Sequence, residues 1–387
     1  MNLTGRNDIV DMNILIYSSK LAQYEYKPFH PFKPMRARMM VELLNRYDLI
    51  SEDNQRILAP AVMNEDLLYL FHTKAYIELL KKAEKGETGI EMLHAGLGTE
   101  DNPIFESMYR YALLASSGTY EGAVMLHEGK ARFVFNPFGG FHHAGKDHAE
   151  GFCYLNDIAI AIADLINKGQ RVAYVDMDAH HGNGVQDAFY ETDRVLTISL
   201  HESGETLYPG GGFETEIGIK EGKGYNVNIP LSAGTTDETY LLAFEALVPA
   251  LIQKFAPDIV VANIGGDAHR DDPLAHLDVT TYAYKKIFRI INDLSPKLLA
   301  LGSGGYDLSK TASLWTLAWA AFCGLEPYDR YAGTVGGMMY GPEATAGQLD
   351  DPAGTADSAE SRRALEHARR IVDYIKDHIF PLHGIPS

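Results

Sequence analysis

The chain has 387 residues, 46% hydrophobic and 22% charged, proportions of a globular protein rather than a disordered or fibrous one. Lys and Arg number 34 against 52 Asp and Glu, and the formal charge of −18 repels phosphate backbones and anionic lipid, so no direct nucleic-acid or membrane partner is expected. No apolar run reaches the roughly 18 residues of a spanning helix, the N-terminus lacks signal-peptide character, and Cys153 and Cys323 alone cannot build a disulfide framework or a Cys-only zinc site, so a reducing, cytoplasmic setting is expected.

Residues 1–11 read as an extension before a single domain over residues 12–387. Asn13–Tyr17 and Arg132–Phe135 are short apolar runs. Asp157–Ile166 has helical character and closes at Asn167-Lys168-Gly169, a C-cap signature. Val172–Asp176 and Val195–Leu200 are again apolar runs. Thr239–Phe255 repeats Tyr240, Leu241, Phe244, Leu247 and Leu251 at helical spacing and stops before Pro257. Ile259–Ile264 is a run, Thr280–Leu294 a helix, and Lys297–Leu301 the last run. Pro342–Ser361, rich in Gly, Ala, Asp and Pro, is a surface loop before a final helix over Ser361–Ile379, where Ala364, Ala368, Ile371 and Ile375 share a face. Apolar runs without alternation mark strands buried on both faces. Their alternation with helices predicts one doubly wound, mainly parallel α/β domain.

Ligands of such sheets bind beyond the carboxyl ends of the strands, so the residues there are the ones to read. Val172–Val175 is followed by Asp176-Met177-Asp178-Ala179-His180-His181-Gly182-Asn183-Gly184, and Ile259–Ile264 by Gly265-Gly266-Asp267. Leu298–Leu301 leads to Gly302-Ser303-Gly304-Gly305-Tyr306, and Arg132–Phe135 to Gly139-Gly140-Phe141-His142-His143. Asp178 and His180, two apart, share a face of extended chain. With Asp267 they would form an open three-ligand site, the pattern of a catalytic rather than a structural zinc. His142 and His143 suit proton transfer, with Asp176 and Asn183 as partners. Tyr306 is placed to stabilise an oxyanion. Each reading has a plainer rival: capping carboxylates, packed histidines, an interface tyrosine.

These segments resemble the histone deacetylase family of the arginase/deacetylase superfamily. The match includes Gly151-Phe152-Cys153-Tyr154-Leu155-Asn156-Asp157, Asp272-Pro273-Leu274, and Tyr17 followed by His30-Pro31-Phe32. The resemblance implies about eight strands and zinc-dependent hydrolysis of acyl-lysine to lysine and acetate. One Zn2+ would sit on Asp178, His180 and Asp267, and Fe2+ suits the same ligands. His143 would be the general base and acid, His142 its electrostatic partner held by Asp176, and Tyr306 the donor to the acyl oxygen. Gly151, Phe152, Tyr208 and Leu274 would line the substrate channel, Asp101 would orient the substrate backbone, and Arg36 would line an acetate exit. K+ would bind at Asp176, Asp178, His180, Ser199 and Leu200, and again at Phe189, Thr192, Val195 and Tyr225.

Asn183 stands where many members have Asp, so the partner of His143 is neutral and should leave its pKa lower than an Asp-partnered site would. Tyr208 stands where Phe is usual. Asn136-Pro137-Phe138-Gly139-Gly140-Phe141 looks like the bacterial acetoin-utilisation branch. An acetylated protein or peptide is therefore the expected substrate, a metabolic enzyme such as an acyl-CoA synthetase in particular. Acetylpolyamine hydrolysis on the same fold suits the acidic surface and is the main alternative. A non-catalytic acyl-lysine-binding module is a weaker one, and homo-oligomerisation is left open.

Overall fold

The structure is a computed structural model describing residues 12–50, 53–327, 349–354 and 358–386. The expected extension over 1–11 and half of the loop expected over 342–361 lie outside these residues. The strands are β1 (Asn13–Ile16), β2 (Gln55–Leu58), β3 (Phe133–Asn136), β4 (Val172–Asp176), β5 (Val195–Glu202), β6 (Asn226–Leu231), β7 (Ile259–Asn263) and β8 (Leu298–Leu301). They form one sheet in the order β2-β1-β3-β8-β7-β4-β5-β6, with every neighbouring pair parallel.

The six apolar runs are the six strands that sequence periodicity locates. β2 and β6 escape it for different reasons. β2 is an edge strand whose Arg56 and Ile57 face solvent, so it lacks a continuous apolar run. β6 alternates Asn226, Val227, Asn228 and Ile229. The amide groups of both asparagines donate to Gln186 Oε1 at 2.7 Å, which satisfies them without an apolar signature.

The helices among the described residues are α1 (Arg36–Arg46), α2 (Lys74–Glu84), α3 (Ile90–His94), α4 (Met108–His127), α5 (Asp157–Asn167), α6 (Asn183–Phe189), α7 (Asp237–Phe255), α8 (Thr281–Leu294), α9 (Leu308–Cys323), α10 (Ala359–His378) and α11 (Phe380–His383). Successive strand residues point to opposite faces. Phe133, Phe135, Ala173, Val175, Leu196 and Ile198 therefore pack in one cluster with α1, α7, α8, α9 and α10. Val134, Val172, Tyr174 and Val195 pack on the other face against α4, α5 and α6. A third, aromatic cluster around Tyr26, Tyr76, Tyr111 and Tyr154 supports the loops at one side of the site. Helix α10 begins at Ala359, two residues before the expected start, because Ser358 caps it by accepting from Ser361 N.

Candidate metal and proton-transfer site

The sheet register assembles the site. Asp176 at the end of β4 lies opposite Asn263 on β7, and Asn263 opposite Leu301 on β8. The loops leaving these ends bring Asp178, His180, Asp267 and Tyr306 to one place. They pack so closely that a Cβ on Gly304 would lie 2.1 Å from Asp267 Oδ2. Only glycine fits there.

Asp178, His180 and Asp267 are all buried, and one ligand atom from each lies within 4.8 Å of the others. His180 Nδ1 is 3.0 Å from both Asp178 Oδ1 and Asp267 Oδ2. The other carboxylate oxygens are anchored elsewhere. Asp178 Oδ2 accepts from Ser303 Oγ (2.7 Å) and Gly304 N (2.8 Å), and Asp267 Oδ1 from Ala179 N (2.9 Å). One oxygen of each carboxylate and one imidazole nitrogen thus converge, a donor set that suits a divalent transition ion. The electrostatics agree. Burial and the facing Asp178 push the Asp267 carboxyl up to about 7. Against burial, hydrogen bonds to the two carboxylates raise the His180 pKa to about 10. The gap between the carboxylates attracts positive charge, and an ion would supply it.

Beside this cluster, His142 Nε2 and His143 Nε2 lie 3.1 Å apart. His142 Nδ1 donates to Asp176 Oδ2 at 2.8 Å, and the same oxygen accepts from Tyr174 Oη at 2.6 Å. Asp176 Oδ1 accepts from Asn263 Nδ2 at 3.1 Å. His143 Nδ1 is 2.7 Å from Asn183 Oδ1. The two histidines are driven apart electrically. Burial opposes charge on His142, but Asp176 and Asp178 outweigh it and raise its pKa. Burial pushes His143 well below its ordinary value, and His142 and His180 add to the effect. One member of the pair therefore favours the cation and the other the neutral base. The lowering comes from burial and the neighbouring imidazoles, and the hydrogen bond to Asn183 works against it.

Tyr306 packs edge-on to His180, with ring centroids 6.4 Å apart. Burial, then the charges of Asp267 and Asp178, hold its pKa well above the usual phenol value, so it stays a donor. Its backbone N donates to Asp272 Oδ2 at 2.6 Å, and Leu274 N donates to Asp272 Oδ1 at 2.9 Å. Arg36 is buried and donates to the carbonyls of Gly305 and Ser303, which steadies the loop that carries Tyr306.

A narrow cleft opens onto these groups, lined by Phe141, His143, Gly151, Phe152 and Tyr306 among others. Gly151 (φ +51°) and Phe152 (φ +68°) are both left-handed, a costly state for a phenylalanine. Tyr26 Oη holds it by donating to Phe152 O at 2.9 Å. Tyr208 stacks edge-on to His143 at 5.3 Å, and Phe152 to Tyr306 at 5.8 Å. Asp101 is exposed, and its carbonyl lies 3.0 Å from His30 Nε2, whose ring packs on Phe152.

The predicted catalytic and zinc-binding residues thus gather in one place. The predicted potassium residues lie deeper: Ser199 and Leu200 are buried in β5, with Ser199 opposite Asp176. Phe189, Thr192, Val195 and Tyr225 lie around the start of β5, where Tyr225 O accepts from Thr197 N at 2.9 Å. Sequence reading missed Glu150, Asp272, Tyr26 and Asp157 as supporting groups. Asp157 accepts from the backbone N of Gly140 (3.0 Å) and Phe141 (2.8 Å), fixing the turn before His142. Its position directly after Asn156, the cap of α5, reads only as helix capping in the sequence.

A parallel α/β sheet with an Asp–His–Asp cluster and a histidine pair at its strand ends has the layout of a metal-assisted hydrolase. Comparison with known proteins sharpens this. Residues 30–322 match the family model described as "Histone deacetylase domain". The chain is 38% identical over 323 residues to the acetoin utilization protein AcuC of Bacillus subtilis, covering 81% of this chain and 83% of that one. It is 40% identical over 293 residues to histone deacetylase 8 of Xenopus tropicalis, covering 75% and 79%. The crystal structure of an HDAC homologue from Aquifex aeolicus superposes with a TM-score of 0.79 at 32% identity, over 93% of this chain and all of that one. The chain belongs to the histone deacetylase family, whose members are hydrolases acting on amides.

Proposed function

We propose that the chain hydrolyses the amide of acyl-lysine, acetyl-lysine first, in proteins or peptides, with one zinc ion held by Asp178, His180 and Asp267. The observation that carries this reading is the convergence of those ligands, the His142–His143 pair and Tyr306 on one narrow cleft. A zinc ion bound there supplies Lewis acidity, lowering the pKa of water and polarising a carbonyl. His143, kept neutral, takes the proton of the attacking water. Tyr306 donates to the developing oxyanion. His142 carries the positive charge that Asp176 compensates, and the histidine pair returns a proton to the leaving lysine amine. Phe152 and Tyr208 hold the aliphatic part of the side chain, with Gly151 and Leu274 completing the walls, and Asp101 at the rim orients the substrate backbone. Fe2+ suits the same ligands, and the carbonyl-rich clusters around Ser199–Leu200 and Phe189–Val195 with Tyr225 are the proposed K+ sites. No described helix is long and apolar enough to cross a membrane, and a cytoplasmic setting belongs to the same reading.

A deacylation panel tests this, comparing acetyl-lysine peptides, acetylated acyl-CoA synthetase and acetylspermidine, each with and without chelator. Metal-dependent release of acetate from the peptides or the acetylated enzyme is expected. Turnover of acetylspermidine alone would shift the assignment to polyamines, a second reading that the charge of −18 favours. Turnover insensitive to chelation would overturn the metal-assisted reaction.

A further inference from the structure

We propose that Glu150 is the carboxylate behind the His143 proton shuttle, acting through Asn183 as a positioning residue; this rests on the deacylase reading above. Asn183 Oδ1 lies 2.7 Å from His143 Nδ1, and Asn183 Nδ2 donates to Glu150 Oε2 at 3.1 Å. The other oxygen, Glu150 Oε1, accepts from Tyr208 Oη at 2.7 Å, and His148 Nε2 lies 3.3 Å from Oε2. An ionised carboxylate only accepts, so the amide NH2 of Asn183 must face it. The amide oxygen then faces His143, and because an oxygen there only accepts, His143 Nδ1 must carry the proton. The lone pair is left on Nε2, the nitrogen that faces His142, and both histidines line the cleft.

Without Glu150 the amide is free to turn over and select the wrong tautomer, the fault that an orienting carboxylate prevents in hydrolytic triads. The negative charge behind the amide also polarises its oxygen and strengthens the bond to His143. Burial works against the charge on Glu150, but hydrogen bonds from His148, Tyr208 and Asn183 outweigh it and keep the carboxyl below its ordinary pKa. The side chain is 28% exposed, so the charge sits at the mouth of the site, one residue further out than a carboxylate at position 183 would.

The test is a pair of backgrounds. In the zinc-loaded full chain, Glu150→Gln should lower kcat on an acetyl-lysine peptide about tenfold, the usual scale for an orienting partner, with little change in KM. In the Asn183→Asp background, where a carboxylate meets His143 directly, the same substitution should cause no loss, because its charge is redundant. An equal loss in both backgrounds means a merely structural role and overturns the proposal. A second readout needs no turnover. In 15N-histidine spectra of the full chain, the His143 Nδ1 proton, assigned by its loss in His143→Ala, should move upfield in Glu150→Gln. An unmoved proton overturns the relay. A wild-type chain inactive on every acyl-lysine peptide overturns the deacylase reading instead, and the imidazole spectrum still decides the relay.

Discussion

At the scale of single residues, the site works by placing each group where only one protonation state is comfortable. Tyr306 is the plainest case, since burial and two nearby carboxylates hold its proton in place. Tyr306→Phe keeps the ring contacts to Phe152 and His180 and removes only the donor. Turnover should fall at least about 10²-fold, in line with a lost oxyanion donor, while metal content by elemental analysis stays intact. Undiminished turnover would remove Tyr306 from the chemistry. Gly151 makes a steric point. An added Cβ would lie 2.4 Å from His143 Cδ2, at a backbone angle side chains avoid. Gly151→Ala should therefore cost activity more than stability, read as a drop in kcat with a melting temperature changed by a few degrees at most.

At the scale of elements, α4 shows where local propensity misleads. Replacing a mid-helix glycine by alanine ordinarily stabilises a helix by about 1 kcal/mol. At Gly118 the new Cβ would lie 2.8 Å from Ile16 Cγ2 and 2.9 Å from Asn136 Nδ2. Asn136 cannot yield, since its amide donates to Ala115 O and Thr119 Oγ1. Overpacking of this kind costs about 1–3 kcal/mol. Gly118→Ala should lower the midpoint of denaturant unfolding, and a raised midpoint would show that β1 and α4 can separate at little cost. Asn136 also ends β3 and leads into the loop that carries His142, so the strain should reach the activity as well.

At the scale of the whole molecule, stability should track both metal and pH. An ion bound only by the folded chain stabilises it by about 4 kcal/mol at a thousand times its Kd. Chelation should therefore lower the melting temperature along with turnover, and added zinc should restore both. The pH response has a separate source in His72, which is buried between α2 and the site loops. Asn156 N donates to its Nε2 at 2.9 Å, and its Nδ1 lies 3.3 Å from Lys146 O. Burial lowers its pKa to about 4. The unfolded chain takes up this proton near pH 6.5 and the folded chain only near 4. The contribution is thus present above 6.5 and lost as pH falls through that window, by about 3 kcal/mol. Unfolding free energies at pH 7, 5.5 and 4 should fall more steeply for wild type than for His72→Gln, and parallel curves would exclude His72 as the source.

Local pattern along the chain marks the candidate chemistry-bearing residues and most of the sheet. Apolar runs located six strands, because burial on both faces leaves a continuous pattern, and the candidate metal ligands and histidines lie in the segments that follow them. Those signals are local, and a local signal is legible without coordinates. The partners that complete them come from contacts distant in sequence. Tyr26 meets Phe152 from 126 residues away, and Asp272 accepts from Tyr306 N across 34. Such pairings depend on sheet register and loop conformation, which no spacing rule carries. The same holds for Asn183. From the sequence it was a neutral partner that softened His143. In the fold its amide is held by Glu150, 33 residues earlier, because the loops after β3 and β4 close over the same cleft.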